Sequence, residues 1–149
     1  MFYLWTDDPV IKDTLKVSGM QVSPMEIENT IFDHPDKLVD DVTVAGISGG
    51  RTADERVPRA WVVLSPAGMQ LGATEATRQI DRWVRERLSR YKWLRGGIAV
   101  VNEVSVYLWL SGLVADLFSQ IPKSSTGKVL RRQLVDRYEA ERTAPMARL

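Results

Sequence analysis

The chain has 149 residues, with 20 Lys and Arg against 19 Asp and Glu, one histidine and no cysteine. This length suits a single domain with a buried core, and the lack of cysteine excludes disulfides, thiolate metal sites and thiol nucleophiles. The near-balanced charge argues against a dedicated nucleic-acid or anionic-membrane protein. The longest uncharged apolar stretch, residues 104–115, has 12 residues, whereas a membrane-spanning helix needs roughly 20, so we expect a soluble protein.

The first predicted element is a short β-hairpin between Lys12 and Val22. Residues of β type lie on both sides of Ser18 and Gly19, and the glycine can adopt the positive φ that a tight turn requires. The hairpin is therefore the first structural prediction from the sequence.

A helix with clear start and stop signals follows the hairpin. Ser23 stands at the N-cap position, Pro24 at the first helical position, and Glu26 completes a capping box. The pair His34-Pro35 ends the helix, because the residue before a proline disfavours helical backbone angles. We expect His34 itself to have a structural or capping role.

The remainder of the chain predicts three strands and two helices. Pro58 stands near the start of the second strand, which indicates an edge strand or a strand beginning. We predict strands at 42–47, 57–64 and 98–101 and helices at 74–94 and 129–142. Helices that flank a small mixed sheet of about three strands, together with the N-terminal hairpin, make an α+β domain.

The strongest local chemical signal is the polar loop from Lys123 to Lys128. With the two residues that precede it, the loop reads IPKSSTGK. A lysine presented by a glycine-containing turn is suited to phosphate or carboxylate oxygens, because an ammonium stabilises charge that develops there. The loop is not a Walker P-loop, since Pro122 and Val129 stand where that motif needs Gly and Ser or Thr. On local chemistry alone, a solvated loop before a helix remains the simpler interpretation.

The loop is the last of several motifs that occur along the chain in a fixed order. They are LKVSGMQVSPMEIE at 15–28, His34-Pro35, VPRAWVVL at 57–64, RLSRYKWLRGG at 87–97 and IPKSSTGKVLRRQL at 121–134. This arrangement resembles the small C-terminal domain of the adenylate-forming (AMP-binding) superfamily. The resemblance is greatest to its acyl-CoA synthetase and 4-coumarate–CoA ligase-like branch, and it runs from about Ile11 to Glu141.

The resemblance implies an ATP-dependent ligase that converts a carboxylic acid, ATP and CoA to acyl-CoA, AMP and pyrophosphate. In such enzymes the small domain is mobile and moves over a large N-terminal adenylating domain, which is the implied partner. ATP or AMP, CoA and Mg would then be substrates or ligands of the complete enzyme, and we expect none of them to bind this chain alone. A cytoplasmic or peroxisomal location is expected, without nucleic acid or a membrane span.

The resemblance also assigns roles to individual residues. Lys128 corresponds to the lysine that contacts carboxylate and phosphate during adenylation, while Lys16 and Gln21 correspond to hairpin residues that face the adenylate during thioester formation. Gly19 corresponds to the glycine beside which the pantetheine arm of CoA passes, and Lys12 to the hinge residue. The resemblance implies no metal ligand in this chain.

Parts of the chain depart from the family pattern. Residues 1–10 do not look like family sequence, and Pro9-Val10 stand where the family usually has Asp-Arg. Residues 104–120 interrupt the domain, predicted at 11–142, and residues 143–149 form a tail. One hypothesis for the insert is a translated, retained intron, and the alternative is a genuine lineage-specific loop.

Two functional hypotheses follow. The first is the C-terminal mobile domain of an acyl-CoA ligase, inactive alone because these 149 residues do not include the large substrate-binding domain. The alternative is a free-standing binding or regulatory module that docks on a separate adenylating domain. The identity of the acid cannot be read from the sequence, because its pocket belongs to the large domain.

Overall fold

The structure is a computed structural model that describes residues 14–49, 52, 55–101, 125 and 131–143. Its strands are β1 (Leu15–Val17), β2 (Met20–Val22), β3 (Val39–Ser48), β4 (Arg56–Leu64) and β5 (Ile98–Val100). Its helices are α1 (Pro24–Phe32), α2 (Pro66–Leu71), α3 (Ala73–Arg87) and α4 (Arg131–Thr143), with a 3-10 turn at Arg90–Lys92. The predictions for Lys12, Lys128 and the insert at 104–120 lie outside the described residues.

Strands β1 and β2 form the predicted antiparallel hairpin. Its turn residues both have positive φ, 49° at Ser18 and 81° at Gly19. Two consecutive positive φ values are typical of a type I′ turn, whose twist matches that of the adjoining strands. The prediction of a short hairpin around this pair is confirmed.

Helix α1 begins at Pro24, as predicted, but the predicted capping box is wrong in one respect. Ser23 is the N-cap by backbone angle, yet its side chain makes no capping hydrogen bond. Val22 and Ile27, which flank the helix start, are both fully buried in the same core cluster. Apolar packing across the helix start, with a proline preset for helical φ, therefore stabilises this end.

The main sheet has the order β3-β4-β5, in which β3 and β4 are antiparallel and β4 and β5 are parallel. It is the mixed three-stranded sheet that the sequence predicts. Strand β4 lies in its centre, so of the two readings of Pro58 the edge strand is wrong and the strand beginning is right. The parallel ladder starts at Ala60, paired with Ile98, and the missing N–H of Pro58 therefore precedes the part of β4 that β5 pairs with.

Helix α2 is an element that the sequence interpretation missed. The hydroxyl of Ser65 accepts a hydrogen bond from the Gly68 N–H at 3.1 Å and donates one to the Lys37 carbonyl at 2.6 Å. The cap thus joins the start of α2 to the segment before β3. The sequence does carry a local signal for this helix, since Ser65-Pro66 is the same pair that marks the start of α1, whereas the contact with Lys37, 28 residues away, follows from no local pattern.

Helix α3 ends earlier than predicted, at Arg87 instead of residue 94. Leu88 is extended, with φ −113° and ψ 153°, and the chain then makes the 3-10 turn. The indole N–H of Trp93 donates to the Leu88 carbonyl at 3.0 Å. This bond satisfies a carbonyl that the end of the helix leaves free, and so it stabilises the turn away from the helix axis.

The sheet is covered on both faces. One face packs against α1, α3 and the hairpin through a core that includes Ile27, Val44 and Ile80. The other face carries a smaller cluster in which Trp61 and Leu134 of α4 are buried. The flanking helices therefore form layers on either side of the sheet, which confirms the α+β prediction.

Candidate functional site

The hairpin presents a polar face to solvent. Lys16 and Gln21 are direct cross-strand partners, and both side chains are exposed. Val17 and Val22 are fully buried, because successive residues of a strand point to opposite faces. Burial of the valines therefore fixes Lys16 and Gln21 on the outward face, side by side.

Gly19 lies at the exposed tip of the same hairpin. A Cβ added at this position would meet no atom of the described chain within 4 Å. The glycine is therefore required by its positive φ and not by internal crowding. Space next to its Cα is open to a molecule that approaches from outside.

A hydrogen bond links the hairpin turn to the end of the main sheet. The Ser18 hydroxyl donates to Glu55 Oε1 at 2.6 Å, across 37 residues of sequence. Sequence reasoning missed this link, since nothing in the pattern around Glu55 marks it as a partner of the turn. The bond connects the tip that carries Gly19 with the β3–β4 connection.

Helix α4 is held along β3 by charged side chains at both of its ends. At its start, Arg131 donates from Nε to the Val44 carbonyl at 3.1 Å and from Nη2 to Glu28 Oε1 at 2.8 Å. At its end, Glu139 accepts from the Ser48 N–H at 2.8 Å. This hydrogen bond lowers the pKa of the Glu139 carboxyl, because it favours the ionised form.

Arg59 connects the centre of the sheet with α4 and the loop before β5. Its Nη1 donates to the Gly96 carbonyl at 2.6 Å, and its guanidinium lies 4.5 Å from the centroid of the Tyr138 ring. Burial lowers the pKa of this guanidinium. Even so, an arginine is cationic at neutral pH, so the contact with Tyr138 is a cation–π interaction.

An open cleft of about 500 Å³ lies beside this connection. Its walls are formed by α4, the β3–β4 connection and the loop before β5, and they include Val57, Arg95, Tyr138 and Arg142. Arg142 donates to the Ser48 carbonyl at 2.8 Å, so one of the two cations on the wall is engaged within the chain.

The described part of the chain offers neither a metal-binding cluster nor a membrane-spanning helix. No group of three or more His, Asp or Glu side chains is arranged to hold a metal ion there. None of the helices within the described ranges is long and apolar enough to cross a membrane.

No protein-family model matches the chain, but comparison with known sequences finds relatives that are CoA ligases. A 4-coumarate–CoA ligase-like protein of Oryza sativa subsp. japonica is 34% identical over 128 residues, which is 86% of this chain and 18% of that protein. A phenylacetyl-CoA ligase of Aspergillus niger is 32% identical over 126 residues, 85% of this chain and 19% of the relative.

Solved structures show the same relationship. An anthranilate CoA ligase in complex with anthranoyl-AMP superimposes with a TM-score of 0.63 at 29% identity, over 85% of this chain and 20% of that one. The chain spans about a fifth of the length of the relatives it matches. It belongs, over the matched residues, to the acyl-CoA synthetase and 4-coumarate–CoA ligase-like branch of the adenylate-forming enzymes.

Proposed function

We propose that this chain is the C-terminal mobile domain of an ATP-dependent acyl-CoA ligase, corresponding to residues 11–142 with an insert at 104–120. The complete enzyme joins a small-molecule carboxylic acid to CoA and releases AMP and pyrophosphate. The observation that carries the proposal is the outward hairpin face, where the exposed Lys16–Gln21 pair lies close to the open space at Gly19. The match to CoA ligases over less than a fifth of their length supports it.

In the first half-reaction, a carboxylate oxygen attacks the α-phosphorus of ATP and the bond to the pyrophosphate leaving group breaks. Negative charge develops on the phosphate oxygens, and a well-placed ammonium stabilises it. We assign this ammonium to Lys128. The described residues include no cluster that suits Mg, so no step is assigned to a metal held by this chain.

In the second half-reaction, the CoA sulfur attacks the acyl carbon, a C–S bond forms, the bond between the acyl carbon and the AMP oxygen breaks, and the thiol proton is released. We assign Lys16 and Gln21 to the adenylate, where the cation and the amide hydrogen-bond its polar groups. The open side of Gly19 would admit the pantetheine arm. The domain would thus have one arrangement for adenylation, with Lys128 at the substrates, and another for thioester formation, with the hairpin there. Rotation of the backbone at Lys12 would exchange the two, since a hinge needs only a few residues that absorb the change in φ and ψ.

The chain alone should not catalyse either step. Substrate positioning supplies roughly 7–11 kcal/mol of catalysis in favourable cases, and the acid pocket of the family lies in the large domain. We therefore infer that the activity needs a large adenylating domain, either in the same polypeptide or as a separate partner.

The test is a chimera. The full chain replaces the matching region of the anthranilate CoA ligase, and formation of anthraniloyl-CoA is compared with that of the large domain alone and of the 149-residue chain alone. We expect the chimera to form anthraniloyl-CoA, and we expect neither the large domain alone nor the 149-residue chain alone to do so. A folded chimera that is as inactive as the large domain alone would contradict the proposal.

A further arm distinguishes the two ways in which the domains can be joined. The chain is added as a separate protein to the same large domain. Activity restored in trans would favour a free-standing module, whereas activity that requires covalent fusion would favour a mobile domain of one polypeptide.

A further inference from the structure

A partly buried charged cluster attaches the start of α4 to β3, and none of the catalytic steps proposed above involves it. It consists of Glu28 on α1, Arg131 on α4 and the backbone of Val44 on β3. Glu28 Oε1 accepts from the Val44 N–H at 2.9 Å and from Arg131 Nη2 at 2.8 Å, while Arg131 Nε donates to the Val44 carbonyl at 3.1 Å. We call these three residues the Glu28–Arg131 clamp.

The position of the clamp follows from the sheet. Within the described residues, β3 is an edge strand whose partner is β4, and an edge strand has backbone groups that the sheet does not pair. Val44 is fully buried, and a buried N–H or C=O without a partner is costly. The two charged side chains supply these partners.

The clamp is also well shielded from solvent. The side chains of Glu28 and Arg131 are 13% and 21% exposed, whereas that of the next residue, Arg132, is 94% exposed. Shielding strengthens hydrogen bonds between charged groups. Adjacent arginines on one helix therefore have very different surroundings, and one of them serves as a control for the other.

We propose that Glu28 and Arg131 are positioning residues for adenylation, an inference that rests on the proposed function. Arg131 is the first residue of α4 and comes three positions after Lys128. An extended chain advances at most about 3.6 Å per residue, so covalent connectivity alone keeps the Cα of Lys128 within roughly 11 Å of that of Arg131, and the clamp holds Arg131 against β3. The clamp thereby sets where the lysine can act.

Lysine cannot replace arginine in this role. The planar guanidinium directs Nε to one acceptor and Nη2 to another in a fixed geometry, whereas an ammonium is a single flexible point charge. Arg131→Lys therefore preserves the charge next to Glu28 but loses the fixed direction toward Val44. The substitution separates charge from geometry.

The first experiment uses the 149-residue chain. Hydrogen exchange at the Val44 amide is measured in the wild type, Glu28→Ala and the control Arg132→Ala. We expect exchange to accelerate on the order of tenfold in Glu28→Ala, since one charge-assisted hydrogen bond is lost, and to stay at the wild-type rate in Arg132→Ala. An unchanged rate in Glu28→Ala would overturn the clamp, whatever the function of the chain.

The second experiment uses the chimera with the large domain of the anthranilate CoA ligase. ATP–pyrophosphate exchange with anthranilate is compared with thioester formation from supplied anthranoyl-AMP, at a temperature where circular dichroism shows each variant folded. Arg131→Lys and Arg131→Ala should lower the kcat of exchange by about 10²-fold, the cost of a small misplacement, and leave thioester formation near the wild-type rate. Arg132→Ala should leave both unchanged.

The outcomes are distinct. A wild-type chimera that is inactive contradicts the proposed function, while the exchange rate of Val44 still decides whether the clamp exists. An active chimera in which Arg131→Lys behaves like Arg132→Ala overturns the positioning role alone. An equal loss in both half-reactions overturns it too, because the effect is then not specific to adenylation.

Discussion

Lys16 and Gln21 face each other across the β1–β2 hairpin, and both side chains are exposed. The pair Val17–Met20 separates them from the turn. Directly opposed residues in a hairpin have Cβ atoms about 5 Å apart. The hairpin therefore presents a cation and an amide side by side on its exposed face.

Removal of either member of this pair should affect one half-reaction. In the chimera, Lys16→Ala or Gln21→Ala should slow thioester formation on the order of 10²–10³-fold, the loss of one well-placed electrostatic contact, and spare ATP–pyrophosphate exchange. Lys128→Ala should do the reverse. Met20→Ala is the control, because Met20 is exposed on the same hairpin but lies on the opposite face. Equal losses in both half-reactions would contradict the assignment.

Gly19 offers a test of the thiol passage that does not change charge. Gly19→Asn should keep the hairpin, because asparagine tolerates positive φ better than most residues and its Cβ meets no atom within 4 Å. The side chain should obstruct CoA and slow thioester formation, with adenylation unchanged. Steady-state kinetics with varied CoA measure the effect. Normal kinetics with CoA would show that no passage runs beside this residue.

Replacement of Gly68 by alanine should destabilise the fold. A Cβ at this position would lie 2.3 Å from the Leu38 carbonyl oxygen, so Gly68→Ala must push α2 away from the segment before β3. We expect a loss on the order of 1–3 kcal/mol in the free energy of unfolding, measured by urea denaturation. Ala67→Gly is the control for the helix: Ala67 is exposed, and glycine costs roughly 0.5–1 kcal/mol in a helix. A smaller loss in Gly68→Ala than in the control would contradict the close approach.

The free energy of unfolding should fall as the pH falls below about 6.5, in part because of His34. Burial lowers the pKa of its imidazole from the ordinary 6.5, Asp36 raises it and Arg87 lowers it further. The neutral ring accepts a hydrogen bond at Nδ1 from the Asp36 N–H, and it lies 5.0 Å from the Trp83 ring. As the pH falls, His34 is protonated in the unfolded chain before it is protonated in the folded one. The contribution of the neutral ring to the free energy of unfolding is therefore complete above pH 6.5 and is lost as the pH falls toward the folded-state pKa.

The measurement is urea denaturation between pH 5 and pH 8 for the wild type and His34→Gln. Other groups titrate in both proteins, so the difference between the two curves isolates the histidine. We expect the wild type to lose more of its free energy of unfolding than the variant on going from pH 8 to pH 5. Parallel curves would show that His34 titrates alike in the folded and unfolded states.

Deletion of residues 104–120 should raise solubility and the melting temperature. The deletion joins Glu103 to Ile121 and removes five consecutive apolar residues, 106–110, a run that favours association when exposed. Differential scanning calorimetry and sedimentation compare the two proteins. An unchanged or lower melting temperature would show that the insert is an integrated element, and mature transcripts that all retain its codons would contradict the intron hypothesis.

The elements that the sequence predicted well are those with local signals. The turn at Ser18-Gly19 and the end of α1 before His34-Pro35 depend on backbone preferences of a few neighbouring residues. The outward direction of Lys16 and Gln21 was not predicted, although strand alternation with Val17 is enough to explain it. Such preferences act over one turn or one residue pair, so they can be read without knowledge of the rest of the chain.

Only the tertiary structure decided the contacts between distant parts of the chain. Residues 28, 37 and 103 positions apart are joined by the Ser65–Lys37 hydrogen bond, the Ser18–Glu55 hydrogen bond and the Glu28–Arg131 clamp. Each partner is an ordinary polar residue in its own segment, and no periodic pattern pairs it with the other. Packing of the sheet brings these groups together. In the Ser65 contact and the clamp they satisfy backbone N–H or C=O groups that would otherwise be shielded without a partner, whereas the Ser18–Glu55 bond is exposed to solvent.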